Sequence, residues 1–522
     1  MSGKSMNAIK EKDIPEILQM ILTTGIAAFM LCILPLVVNR GYLDISTFKT
    51  VILIRWMPVL AGLYLLLCVL NRKWPYRRLQ ERKLPLIFLG FMVLAFCLSA
   101  ARSGLSPAVL WGENGRDAGL YFLLCCLLGC FCIGTGKCHE RFLQAAIVLS
   151  GAFIALTGYL NLLGLDPLGM HAGIPEEHRV VFLSTIGNAN FYGCALLFSL
   201  SLAASMWISG KYPVPGFCFS LVIAAGICCS VTDTALLGML CTGPILLYMN
   251  WGNGRVMRRA LLFSIMCILL IPAVHKSMIY WSRLYVRFPG LTAFMIKKYV
   301  FIPLALLLFC AWVILGLLDR KGKVPGRPRV WVLLLIFLAA GLLILFAGLR
   351  FGKMNYDGVD LKGGEKAEFR IMEFAGKRGL IYDACLRCYN DFTWDQKLFG
   401  GGVDNLRSVI DPYLYIDGER IFKEGDILDD AHCQPLHYLL TCGLLGFAAY
   451  TGFYLCIVCV LYRRREKTSF ADGILLSLLL YLPSFLVNVA QPIMLILFFG
   501  AAGIGMSCIQ EREINSDVRK ES

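Results

Sequence analysis

The sequence predicts an all-α polytopic membrane protein, with about 14 transmembrane helices and one large extracytoplasmic loop. Three observations predict it. Of 522 residues, 58% are hydrophobic and 16% charged, with a mean hydropathy of +0.67, whereas soluble domains carry roughly 25% charged residues. The apolar residues gather in runs approaching the roughly 20 needed to cross a hydrocarbon core. The short alternating segments that a membrane barrel needs are absent.

In chain order the expected spans are 15–38, 51–70, 84–101, 119–135, 143–163, 191–209, 217–232, 234–251, 260–274, 297–318, 331–349, 436–461, 470–488 and 491–509. The organisation is therefore 1–349 as eleven helices with short loops, 350–435 as the large loop, and 436–522 as three helices and a short cytoplasmic tail. The formal charge of +15 sits mostly in connections: "NRKWPYRRLQERK" (71–83), "GNGRVMRR" (252–259), "DRKGKVPGRPRV" (319–330) and "YRRREK" (462–467). A cytoplasmic N-terminus puts all of these inside, as the positive-inside rule asks. They read as topology signals in a multi-pass protein of the cell (cytoplasmic) membrane, and no nucleic-acid partner is expected. No cleavable signal peptide is expected, because the first apolar run lacks a small-residue cleavage site.

The same topology puts 102–118, 164–190, the turn near Asp233, 275–296 and 350–435 outside. Within 277–291, aromatics alternate with Arg283 and Arg287, the pattern of an interfacial segment. In the large loop, "FRIMEFAGKRGLIYDACLRCYNDF" reads as one or two amphipathic helices, with "GGG" at 400–402 as a turn. Most of the 22 cysteines lie in apolar runs, where a thiol behaves as a small hydrophobe. Cys385 and Cys388 form a CxxC, but no second CxxC accompanies it.

Charge inside the spans is rare. Arg55 lies about one turn from the outer end of its span and can snorkel, and no span carries the series of buried carboxylates of a proton relay. Polar chemistry gathers outside: Arg179, Asn188 and Asn190 before one span, Arg378 and Arg387 in the large loop, and His432 in "DDAHCQP" before another. Each has a plainer reading, as an interfacial anchor, a helix cap and turn, or a solvated charge. Pro435 is well placed to open a helix, which leaves His432 in loop conformation at its lip. That helix N-terminus is partly positive, so it favours a bound anion and a neutral imidazole. A neutral imidazole beside arginines suits a general base next to an anionic leaving group. Asp429 and Asp430 read as capping or acceptor contacts.

The order "GNANFYG" before a span, then "RGLIYDACLRCYNDFTWDQKLFGGGVDNL", then "DDAHCQPLHYLLTCGLLGFAAY" resembles the O-antigen ligase and O-antigen polymerase family. There a Gly-Asn-x-Asn element precedes a span, and the loop carries an Arg, an aromatic four residues on and a later Gly-x-Gly. A His then opens the next span. The matching positions are Gly187, Asn188, Asn190, Arg378, Tyr382, Gly400, Gly402, His432 and the Gly443–Gly446 pair. "LWGENGRDAGL" (110–120) also resembles an outer-loop element of Gram-positive members. The resemblance spans residues 100 to 460, with two departures. "TDT" at 232–234 stands where members often have Ser-Arg, and Cys433 stands where an Asn usually follows the His.

The resemblance implies a GT-C-like architecture and a metal-independent, inverting glycosyl transfer on the outer membrane face, with no cofactor. Donor glycan would come from a polyprenyl (undecaprenyl) diphosphate and pass to a glycan or lipid acceptor, building cell-envelope polysaccharide. By that implication His432 deprotonates the acceptor hydroxyl, Arg179 and Arg378 hold the diphosphate, and Arg387 is a further candidate. The chemistry is coherent: diphosphate leaves readily, and arginine forks stabilise the charge it acquires. No DxD metal motif or glycosidase-type carboxylate pair can be assigned. The rival expectations are a flippase or transporter of lipid-linked saccharides, and a non-catalytic envelope scaffold.

Overall fold

The computed structural model describes residues 14–39, 41–70, 76–112, 117–209, 212–230, 232–282, 284, 290–297, 299–323, 378–416, 419–420 and 428–510. Ten apolar helices come first: α1 (Ile14–Leu36), α2 (Ile45–Leu70), α3 (Lys83–Arg102), α4 (Leu120–Thr135), α5 (Glu140–Leu162), α6 (Ala189–Ser209), α7 (Pro213–Cys229), α8 (Asp233–Met249), α9 (Gly254–Trp281) and α10 (Phe301–Arg320). Three short helices follow, α11 at 378–391, α12 (Trp394–Phe399) and α13 (Leu406–Ile410). The apolar α14 (Gln434–Arg464), α15 (Ser469–Val487) and α16 (Pro492–Ser507) close the described chain. Among the described residues, nine helices are long and apolar enough to cross a membrane. The others of the apolar set, α4, α7, α8 and α16, have 16 or 17 residues. The protein is an all-α, multi-pass membrane protein.

Every expected span within the described residues is a helix; 331–349 lies outside them, as do 350–377 and 421–427 of the large loop and Arg283 and Arg287. Residues 277–281, the expected start of the interfacial segment, are helical and extend α9, which continues through Pro272 to 28 residues. Proline is tolerated inside a membrane helix because neighbours re-satisfy the freed backbone group. Some of the helix starts show side-chain capping: Asn253 Oδ1 accepts from Val256 N at 3.3 Å, and Thr468 Oγ1 accepts from Ala471 N at 3.1 Å. In α1 a π-helical turn, Phe29–Ile33, precedes Pro35. Proline has no N–H to give and crowds the carbonyl four residues back, so the turn widens.

Burial orders the bundle. The apolar window of α6 is 100% buried, against 6% for α10. A helix that is apolar all round belongs inside a protein or against lipid; α6 is packed among α5, α7, α8 and α15, while α10 leans on α9. Beside the main core a smaller one is built by α11, α13 and the first turns of α14, through Ile381, Ala384, Cys385, Leu406, Ile410 and Leu440. The CxxC belongs to this core: both thiols are free and buried, and Cys388 donates to Val409 O at 3.3 Å. Burial pushes the Cys388 thiol up to about 12, so it packs as a small hydrophobe.

Candidate functional site: the start of α14

Pro435 is the second residue of α14, and Cys433 caps the helix in extended conformation. His432 precedes the cap with φ +52°, a left-handed conformation that costs an L-residue roughly 1–2 kcal/mol. Two contacts hold it there. Its N–H donates to Asp430 Oδ1 at 2.6 Å, and its carbonyl accepts from the Tyr382 hydroxyl at 3.1 Å.

Tyr382 reaches His432 from the first turns of α11, and Arg378 stands one turn earlier on the same face. The Tyr382 hydroxyl is also 3.4 Å from Leu486 O, and Arg378 Nη2 donates to Asn488 Oδ1 at 3.5 Å. The end of α15 therefore receives both side chains beside His432. Burial pushes the Tyr382 phenol up to about 12, which keeps it a donor at neutral pH. Burial lowers the Arg378 guanidinium, with Tyr382 opposing the shift, and arginine remains charged regardless.

Arg387 does something else. It lies about 13 Å further along α11 at 1.5 Å per residue. Its Nε donates to Asp383 at 2.9 Å and its Nη2 to Tyr413 O at 2.9 Å. The second bond ties α11 to the turn after α13. Arg179 sits half-buried in the 3₁₀ turn Glu176–Val181 and donates to Ile174 O at 3.2 Å. Among the described residues it shares no hydrogen bond with the start of α14. Asn188 belongs to the hairpin of β1 (Phe182–Leu183) and β2 (Gly187–Asn188). Its Oδ1 accepts from Asn190 N at 2.9 Å, capping α6, which is the plainer reading of that motif.

The glycines dock the two cores. Gly443 breaks α14 with φ +65° and ψ −168°, a region open essentially to glycine alone. Carbonyls before a helix end lack helical donors; here Leu440 O accepts from Gly401 N at 2.9 Å and Thr441 O from Gly402 N at 3.0 Å. The Ser99 hydroxyl also donates to Thr441 O at 2.8 Å. Gly400 and Gly443 allow the approach: a Cβ on either would stand 2.3 Å from backbone atoms of the other segment.

Buried polar residues beyond those expected lie behind the site. Asp430 is fully buried; its Oδ2 accepts from Ala490 N at 3.2 Å and lies 3.2 Å from His437 Nδ1. His437 Nε2 stands 3.9 Å from Asp404 Oδ1, and Asp404 Oδ2 accepts from Ala118 N at 3.1 Å. His437 and Asp404 are each 3% exposed. The sequence signal for His437 is a second histidine shortly after the first, placed inside α14. Asp404 carries no such signal, since its approach depends on the Gly401–Gly402 docking. Among the described residues, no group of three His, Cys, Asp or Glu side chains is arranged to hold a metal ion. The far end of the bundle holds an open polar cavity of about 950 Å³ lined by Arg82, Lys137, Glu140, Arg463, Arg464 and Glu466, none of them an expected site residue.

No family model matches the chain, and no curated protein matches it.

Proposed function

We propose that this chain is a membrane glycosyltransferase of the lipid-linked-glycan ligase or polymerase type. One observation carries the reading: the Tyr382 hydroxyl on the His432 carbonyl sets an arginine-bearing helix face beside a histidine at a helix N-terminus. A helix N-terminus and a half-buried guanidinium both favour an anion, and an imidazole at their edge suits deprotonation of an acceptor hydroxyl. In this reading His432 is the base, Arg378 holds the diphosphate of a polyprenyl-linked donor, and Arg179 reaches it from the 3₁₀ turn before the β1–β2 hairpin. Arg387 serves as a local tie, because its Nε and Nη2 donate to Asp383 and Tyr413 O. The reading carries with it about 14 spans, a cytoplasmic N-terminus, residues 350–435 outside, and a GT-C-like arrangement in the cytoplasmic membrane.

The test is reconstitution with a labelled glycan-diphosphate-polyprenol and an acceptor. A new glycosidic product with release of polyprenyl diphosphate is expected, and His432→Ala is expected to abolish it, a loss of at least about 100-fold. Translocation of the lipid with no new bond would replace this reading with a flippase. Near-normal turnover by His432→Ala would remove that residue from the mechanism.

A further inference from the structure

His437 and Asp404 have no part in the chemistry just described, yet they are nearly sealed from solvent. Buried ionisable groups are costly unless paired, so their arrangement calls for an explanation. Three groups stand in line: Asp430 Oδ2 to His437 Nδ1 at 3.2 Å, then His437 Nε2 to Asp404 Oδ1 at 3.9 Å. The line connects two non-glycine residues in left-handed conformation, since Asp404 (φ +54°) forms one end and His432 (φ +52°) hangs from the other through Asp430. Such conformations persist where their surroundings over-determine them. Each carboxylate spends its second role on backbone: Asp430 accepts from Ala490 N before α16, and Asp404 accepts from Ala118 N before α4.

We propose that Asp430, His437 and Asp404 form a buried positioning ladder that sets the orientation of His432 by bracing its backbone against α4, α14 and α16. This deepens the transferase reading, on which His432's role rests. His437 is a positioning residue in it: the imidazole stands within ion-pair range of both carboxylates, closer to Asp430, whose Oδ atoms each accept a backbone amide.

The two nitrogens of His437 can be replaced separately. Asparagine puts an amide near the Nδ1 position, on the Asp430 side, whereas glutamine puts one near the Nε2 position, on the Asp404 side. The full chain in lipid nanodiscs is treated with diethyl pyrocarbonate. Modification is resolved by residue, using exposed His178 (63% side-chain exposure) as the internal reference. Asp430→Asn and His437→Gln are expected to change the His432-to-His178 rate ratio by at least about threefold, the scale of one lost hydrogen bond, while His437→Asn stays near wild type. In the transfer assay, Asp430→Asn and His437→Gln are expected to lower kcat by about tenfold or more with KM little changed, and His437→Asn to retain most of kcat.

An unchanged ratio in Asp430→Asn, or equal behaviour of His437→Asn and His437→Gln, would overturn the ladder. Absence of any transfer by the wild type would sink the transferase reading alone, because the reactivity ratio still judges the ladder.

Discussion

Helices α4 and α16 are fastened by opposite charges at their two ends. At the His432 end the fasteners are carboxylates: Asp430 accepts amides ahead of α14 and α16, and Asp404 accepts one ahead of α4. At the far end they are arginines. Arg82, only 2% exposed, donates to Gly134 O at 2.7 Å and to Ser507 O at 3.1 Å, the last turns of α4 and α16. Arg464, in the last turn of α14, pairs with Glu81 and donates to its carbonyl. The rule behind the difference is helix polarity, since helix starts leave N–H groups orphaned and helix ends leave C=O groups orphaned. Helices α4 and α16 run in the same direction, so one acidic and one basic side chain grip each of them at opposite ends. Basic connections that read from sequence as topology signals thus also act as C-terminal caps.

The largest expected effect comes from separating the docked backbones at the His432 end. Gly443→Ala would place a methyl 2.3 Å from Leu398 backbone atoms in a conformation reserved for glycine. The cost is at least about 3 kcal/mol, so the purified protein should lose most of its thermal transition in detergent or fail to be recovered. A well-behaved Gly443→Ala protein with wild-type Tm would mean that the docking of 400–402 on α14 is dispensable.

Removing the fastener at the other end should cost somewhat less. Arg82→Ala leaves two helix-terminal carbonyls without a charged donor, worth on the order of 1.5–3 kcal/mol each before relaxation and water entry. A Tm lowered by several degrees is expected, with partial recovery in Arg82→Lys, which keeps the charge but loses the fork. Equal Tm values for Arg82→Ala and wild type would show that the carbonyls find other partners, and the symmetry between the ends would fail.

Much of the architecture is legible in the sequence because apolar runs of membrane length permit few alternatives. The span expected at 260–274 is too short, since charged and aromatic residues at 254–259 and 275–281 are helical without being apolar. At the site, Arg378, Tyr382 and His432 share one lip, and Pro435 opens α14 as its chemistry suggests. Arg387 looks equivalent to Arg378 in the sequence, which shows charge and spacing but not the direction a helix face takes. What separates them is Asp383, one turn before Arg387 and positioned to pair with it. Asp404 stays hidden for a different reason: it is distant from His437 in the chain and approaches it only through a docking that two glycine amides create.

The smallest expected effect lies at the rim of the His432 end, where Arg102 Nη2 and Asp395 Oδ2 approach to 2.6 Å. This pair joins α3 to α12 at the same end as the ladder, and it is closer than either carboxylate–imidazole contact there. Its side chains are 56% and 46% exposed, however, and water and salt screen such pairs to about 0–1 kcal/mol. Asp395→Ala should therefore leave Tm within about 1 °C of wild type. Asp395 also occupies the first turn of α12, where a negative charge is modestly favourable, which accounts for whatever small loss remains. A Tm drop comparable to that of Arg82→Ala would show that α12 depends on its rim charge as much as on the glycine docking. Burial would then no longer be what separates the fasteners that matter from those that do not.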